Sequence, residues 1–126
     1  ANDANATNDT QVNATKPPQD VEDQEFDSPK AMYEAALAQF EERNYQSAQT
    51  LWARFIDENP DHNLVPNAYF WQGESYYQNQ NHARAVLAYQ EVIERFQDSS
   101  KYPGALLKQG LSFYQLGKKK PGRLVL

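Results

Sequence analysis

"PNAYFWQGESYY" occupies Pro66–Tyr77, and five of its twelve residues are aromatic: Tyr69, Phe70, Trp71, Tyr76 and Tyr77. Such a stretch is either packed core or a surface made to hold something. Its surroundings decide, because the stretch recurs. Stepping 37 residues in either direction pairs Pro66 with Pro29 and Pro103, and Ala68 with Ala31 and Ala105. The same step joins Ala36, Gly73 and Gly110, and then Phe40, Tyr77 and Tyr114. Ala48 recurs as Ala85 and Gly122, and Asp61 as Asp98. A shared offset across six columns marks an internal repeat.

Each unit reads as two helices. A proline suits the first helical turn, where its missing N–H is not needed. Ser28 precedes Pro29 as a candidate N-cap. The spacing predicts first helices over 30–43, 67–79 and 104–116. Polar turns follow at Arg43–Asn44, Asn79–Asn81 and Gly117–Lys118. Second helices are predicted over 46–58 and 82–96. The apolar residues of the earlier one, Ala48, Leu51, Trp52, Phe55 and Ile56, have the spacing of an amphipathic helix. The units run 29–65, 66–102 and 103–126, the last incomplete. A second helix for unit three would have to come from Lys119–Leu126, with Pro121 and Gly122 among them. The expectation is an under-covered inner face at Leu106 and Phe113, with self-association or fraying at that end.

Residues 1–28 differ in kind. They carry seven acids (Asp3, Asp9, Asp20, Glu22, Asp23, Glu25, Asp27) and one base, Lys16. Val12, Val21 and Phe26 are their only large apolar residues. So little apolar content does not offset the entropy of ordering, and the segment reads as a disordered acidic linker. "NAT" at Asn5–Thr7 and Asn13–Thr15 matches the N-glycosylation acceptor pattern, which a chain rich in Asn, Ala and Thr also yields by chance. Residues 29–126 hold ten acids and eleven bases. A body so nearly neutral does not look like a nucleic-acid surface.

Catalysis needs convergent groups with tuned pKa values. With no cysteine, thiol chemistry and thiolate metal sites are excluded. His62 and His82 fall in predicted polar loops, without a partner ligand at metal-binding spacing. Glu41–Glu42 reads as a solvated helix end and Lys118–Arg123 as a solvated basic turn. No catalytic residue, metal site or cofactor is expected. No apolar run reaches the roughly 18 residues of a membrane span, so no direct membrane insertion is expected.

The small residue of the first helix, the small residue twelve positions on, the aromatic four later (Trp52, Tyr89) and Pro60 together resemble the tetratricopeptide repeat. The usual period is about 34, and the three extra residues fall in the loops "DHNLVPNA" and "DSSKYPGA". With that lengthened loop, "PNAYFWQGESYY" and "KYPGALLKQGLSFYQLG" are similar to the C-terminal domain of the periplasmic Tol–Pal system coordinator proteins. The resemblance implies an all-α fold, about 2.5 helical hairpins stacked in a right-handed superhelix. It implies a protein-binding, non-enzymatic module of the bacterial periplasm, acting in envelope constriction at cell division, with the inner-membrane protein TolA as partner. Outer-membrane assembly proteins share the long loop, so a scaffold role there, or a generic repeat adaptor, is the alternative.

Counting from each unit's proline then separates two faces. Positions 4, 8 and 11 are expected inside the hairpin: Met32, Ala36 and Gln39; Tyr69, Gly73 and Tyr76; Leu106, Gly110 and Phe113. Positions 5, 9 and 12 line the concave groove in the family. Here they are Tyr33, Leu37 and Phe40; Phe70, Glu74 and Tyr77; Leu107, Leu111 and Tyr114. Eight of these nine are apolar or aromatic, which fits an apolar or amphipathic segment laid into a groove. Trp71 falls between the faces and is expected against the neighbouring unit.

Overall fold

The computed structural model describes residues 19–118. Its described residues form six helices: α1 (Gln19–Asp23), α2 (Pro29–Glu41), α3 (Tyr45–Glu58), α4 (Val65–Gln78), α5 (His82–Arg95) and α6 (Tyr102–Lys118). Helices α2 and α3 pack as one hairpin and α4 and α5 as the next; α4 also packs on α3, and α6 on α5. The fold is all-α, built from stacked hairpins, and the helix bounds follow the 37-residue step.

Local chemistry sets those bounds. The Ser28 hydroxyl accepts from Ala31 N–H at 3.0 Å, which caps α2 in front of Pro29. The turn after α2 recurs one period later. Arg43 and Gln80 both take positive φ, 68° and 65°. Asn44 N–H reaches back to Gln39 O, and Asn81 N–H to Tyr76 O. This six-residue closure, with a left-handed residue before its last member, is a Schellman stop. A left-handed backbone costs a non-glycine residue about 1 kcal/mol or more. The second helix that folds back each time offsets that cost. Unit three departs from expectation here. Gly117 occupies the same column, yet α6 continues through it to Lys118 without a positive φ. The turn predicted at Gly117–Lys118 is therefore not formed at those residues, which remain helical.

The core is a small residue facing an aromatic. Ala36 and Ala48 are sealed in unit one beside Trp52, and Ala85 beside Tyr89 in unit two. The Tyr89 ring lies so close to Gly73 that an added Cβ would sit 2.6 Å from Cε1. The small residue is thus what lets the two helices approach. Leu51, Phe55 and Val92 complete the buried column, with Ala68 and Ala105 where α4 and α6 meet the hairpin before them. Burying one large apolar side chain stabilises by about 1.5–3 kcal/mol.

The expectation of a disordered 1–28 is corrected over residues 19–28. The helix α1 packs on α3 with Val21 buried. Arg54 donates from Nη1 to the carbonyls of Val21 at 3.1 Å and Gln24 at 2.9 Å, and its guanidinium lies over the Phe26 ring. The segment's few apolar residues suffice because α3 supplies the surface and Arg54 the donors. Residues 1–18, with both "NAT" triplets, and 119–126 lie outside the described residues.

Candidate functional site

The first helices α2, α4 and α6 carry a row of aromatic rings. Phe40 of α2 meets Trp71 of α4 edge-on at 5.4 Å, so Trp71 joins units one and two as expected. Trp71 in turn meets Phe70 at 5.6 Å. The Lys101 ammonium lies 5.1 Å from the centroids of both rings. Farther along α4, Lys108 of α6 sits 4.2 Å over Tyr77, and Lys118 lies 5.6 Å over Tyr114. Each cation is held against a ring face, where the quadrupole attracts it.

One polar cluster ties these helices together. Glu74 accepts from the Tyr89 hydroxyl at 2.8 Å and pairs with Lys108 at 3.5 Å. All three groups are largely shielded from solvent, so the contacts are stronger than surface pairs. Burial, reinforced by the Glu74 charge, pushes the Tyr89 phenol well above its ordinary range. Burial also raises Tyr33, against hydrogen bonds to Asn67 and Trp71 that lower it.

The nine residues expected in the groove therefore divide. Tyr33 is only 9% exposed and packs on Trp52 and Phe55 at 5.1 and 5.6 Å. It is a core residue, which corrects its placement on an open groove. Phe70 is half-buried against Tyr89, and the carboxylate of Glu74 is taken up inside the fold. Leu37, Phe40 and Tyr77 are half-buried. Leu107, Leu111 and Tyr114 are exposed, at 64%, 39% and 63%.

The residues expected inside the hairpin divide in the same way. Met32 and Ala36 are buried, Tyr69 and Tyr76 are half-buried, and Leu106 and Phe113 are 46% and 55% exposed. Gly110 has no atom within 4 Å of where its Cβ would be. So the contrast between two faces, argued from register, does not hold. Exposure follows the unit, because each first helix is covered by its own second helix and by the next unit.

A family model for the tetratricopeptide repeat matches residues 33–100 and 75–120. The chain belongs to the tetratricopeptide repeat family. No curated protein matches it. The tetratricopeptide repeat is a protein-interaction unit and generally non-enzymatic. The described residues hold no group of three or more His, Cys, Asp or Glu placed to take a metal ion. No described helix is long and apolar enough to cross a membrane.

Two contributors to the tetratricopeptide face were missed by counting positions. Trp71 sits at its centre, and Lys101 comes from the loop before α6. The periodic argument assigns loop residues to no face, so only the doubled ring contact reveals Lys101.

Proposed function

We propose that this tetratricopeptide domain is an interaction module of the bacterial cell envelope. It binds an apolar or amphipathic segment of a Tol–Pal partner, with TolA the first to test, during envelope constriction at cell division in the periplasm. The observation that carries the reading is the half-buried and exposed apolar row on the first helices: Leu37, Phe40, Trp71, Tyr77, Leu107 and Tyr114. Such side chains already have their neighbours fixed, so a ligand gains contact area at low ordering cost. The envelope assignment is supported by the resemblance of Pro66–Tyr77 and of Lys101–Gly117 to the coordinator proteins.

Tryptophan emission offers a test, because Trp52 is sealed and only Trp71 lies near solvent. Titration with the soluble part of TolA should give a saturable change in emission. Phe40→Ser should weaken that binding on the order of tenfold or more, as loss of an aromatic anchor does. No saturable change, or full binding by the variant, would contradict the reading.

A further inference from the structure

The segment Val21–Phe26 is fastened to the repeat at one residue. Arg54 of α3 donates to the carbonyls of Val21 and Gln24, and its guanidinium covers the Phe26 ring at 5.4 Å. Val21 and Phe26 join the core cluster that holds Met32 and Phe55. Among the described residues the next unit has no such fastening. One 37-residue step on, the column of Arg54 holds Glu91, which has no donor for a carbonyl. One turn before it on α5, Leu87 is left 66% exposed.

Charge opposes this docking rather than holding it. Asp23, Glu25 and Asp27 of the segment line one cavity of about 320 Å³ with Glu58 of α3, and Arg54 is the one base among its described lining residues. The charge of Arg54 is already taken up, because its Nε donates to Glu58 at 3.1 Å. Lys30, the next base along the chain, lies 4.0 Å from Glu34. Among the described residues no ion pair reaches Glu22, Glu25 or Asp27. The corner also sits at the C-terminus of α3, where helix carbonyls add partial negative charge. The contacts that hold the segment are of another kind: hydrogen bonds to neutral carbonyls, a ring under a guanidinium, and the burial of Val21. Salt screens repulsion between exposed carboxylates far more than it weakens such partly buried contacts.

We propose that Val21–Phe26 is a latch set by ionic strength, closing on α3 as salt rises and opening as salt falls. The device goes beyond the interaction reading and does not depend on it. Closed, the latch seals Met32, only 4% exposed, in the first turn of α2. Open, it bares Met32 together with its own Val21 and Phe26, and it releases the Arg54 donors. The direction is opposite to that of an arm held by ion pairs, which salt loosens.

Cleavage by a glutamate-specific protease reads the open fraction, because Glu22 and Glu25 lie in the segment. A free peptide of residues 19–28 is the reference, which corrects for the effect of salt on the protease. Relative to that peptide, the full chain should be cut slowly there, and its protection should rise about threefold or more between about 0.02 and 0.5 M NaCl. Glu25→Gln combined with Asp27→Asn should raise protection at Glu22 in low salt and flatten its dependence on salt. Arg54→Lys keeps the charge but loses the paired donors. It should remove most of the protection with helicity unchanged. Protection that falls as salt rises would make the segment an ion-paired arm and overturn the latch. So would no protection at any salt, or a rise that the double substitution leaves intact. Full protection in Arg54→Lys would move the fastening off Arg54 and overturn it too. MgCl2 that closes the segment where NaCl of equal ionic strength does not would assign the closure to a bound cation, again against the proposal.

Discussion

Gly73 and Gly110 are the same residue in the same column, one repeat apart, and they live in different surroundings. At Gly73 a tyrosine ring fills the space that a Cβ would need, and at Gly110 that space is open. The columns at positions 5, 9 and 12 repeat the contrast, whereas Ala105 and Ser112 stay buried like Ala68 and Ser75 one unit earlier. Position 5 runs from buried Tyr33 through half-buried Phe70 to exposed Leu107. Position 9 runs from half-buried Leu37 and Glu74 to exposed Leu111. In a stacked repeat, a residue's column sets what it can touch, and the neighbouring unit sets whether it touches it.

The largest effect comes from position 5. Tyr33→Ala removes a ring wedged against Trp52 and Phe55 and should destabilise the domain by about 3 kcal/mol or more in urea melts. Leu107→Ala, in the same column, should stay within about 0.5 kcal/mol. Similar losses for the two would mean that α6 is covered after all, and the difference between the units would vanish.

A smaller effect sharpens the comparison at position 9. Glu74→Gln keeps the shape but takes the charge from the Tyr89 hydroxyl and Lys108, and should cost about 1.5 kcal/mol in the same melts. Leu111→Gln, one unit on, should change stability little. A neutral Glu74→Gln would return that carboxylate to the list of groups free for a ligand.

Much of this was legible in the sequence. The 37-residue step places five helices, the Ser28 cap, and the pairing of a small residue with an aromatic, because each rests on chemistry within one unit. Three features were not. The left-handed turns fall on Arg43 and Gln80, residues with no glycine-like signal. The acidic segment at Val21–Phe26 is held by Arg54, some thirty residues distant, so its own composition does not reveal the docking. The expected groove failed at Tyr33 because register counts positions and takes no account of how far the unit's own second helix, with Trp52 and Phe55, covers it. All three depend on how one helix packs against another, which periodicity alone does not encode.

The central claim is that α4 is closed over and α6 is open at the same column, and two alanines test it. Gly73→Ala would force its Cβ into the Tyr89 ring, and overpacking should outweigh the gain in helix propensity by about 1 kcal/mol. Gly110→Ala meets nothing and should stabilise the domain by up to about 1 kcal/mol. Paired denaturant melts should therefore shift in opposite directions. A loss of stability in Gly110→Ala as large as that in Gly73→Ala would show that the space beside Gly110 is already filled, and would contradict the account.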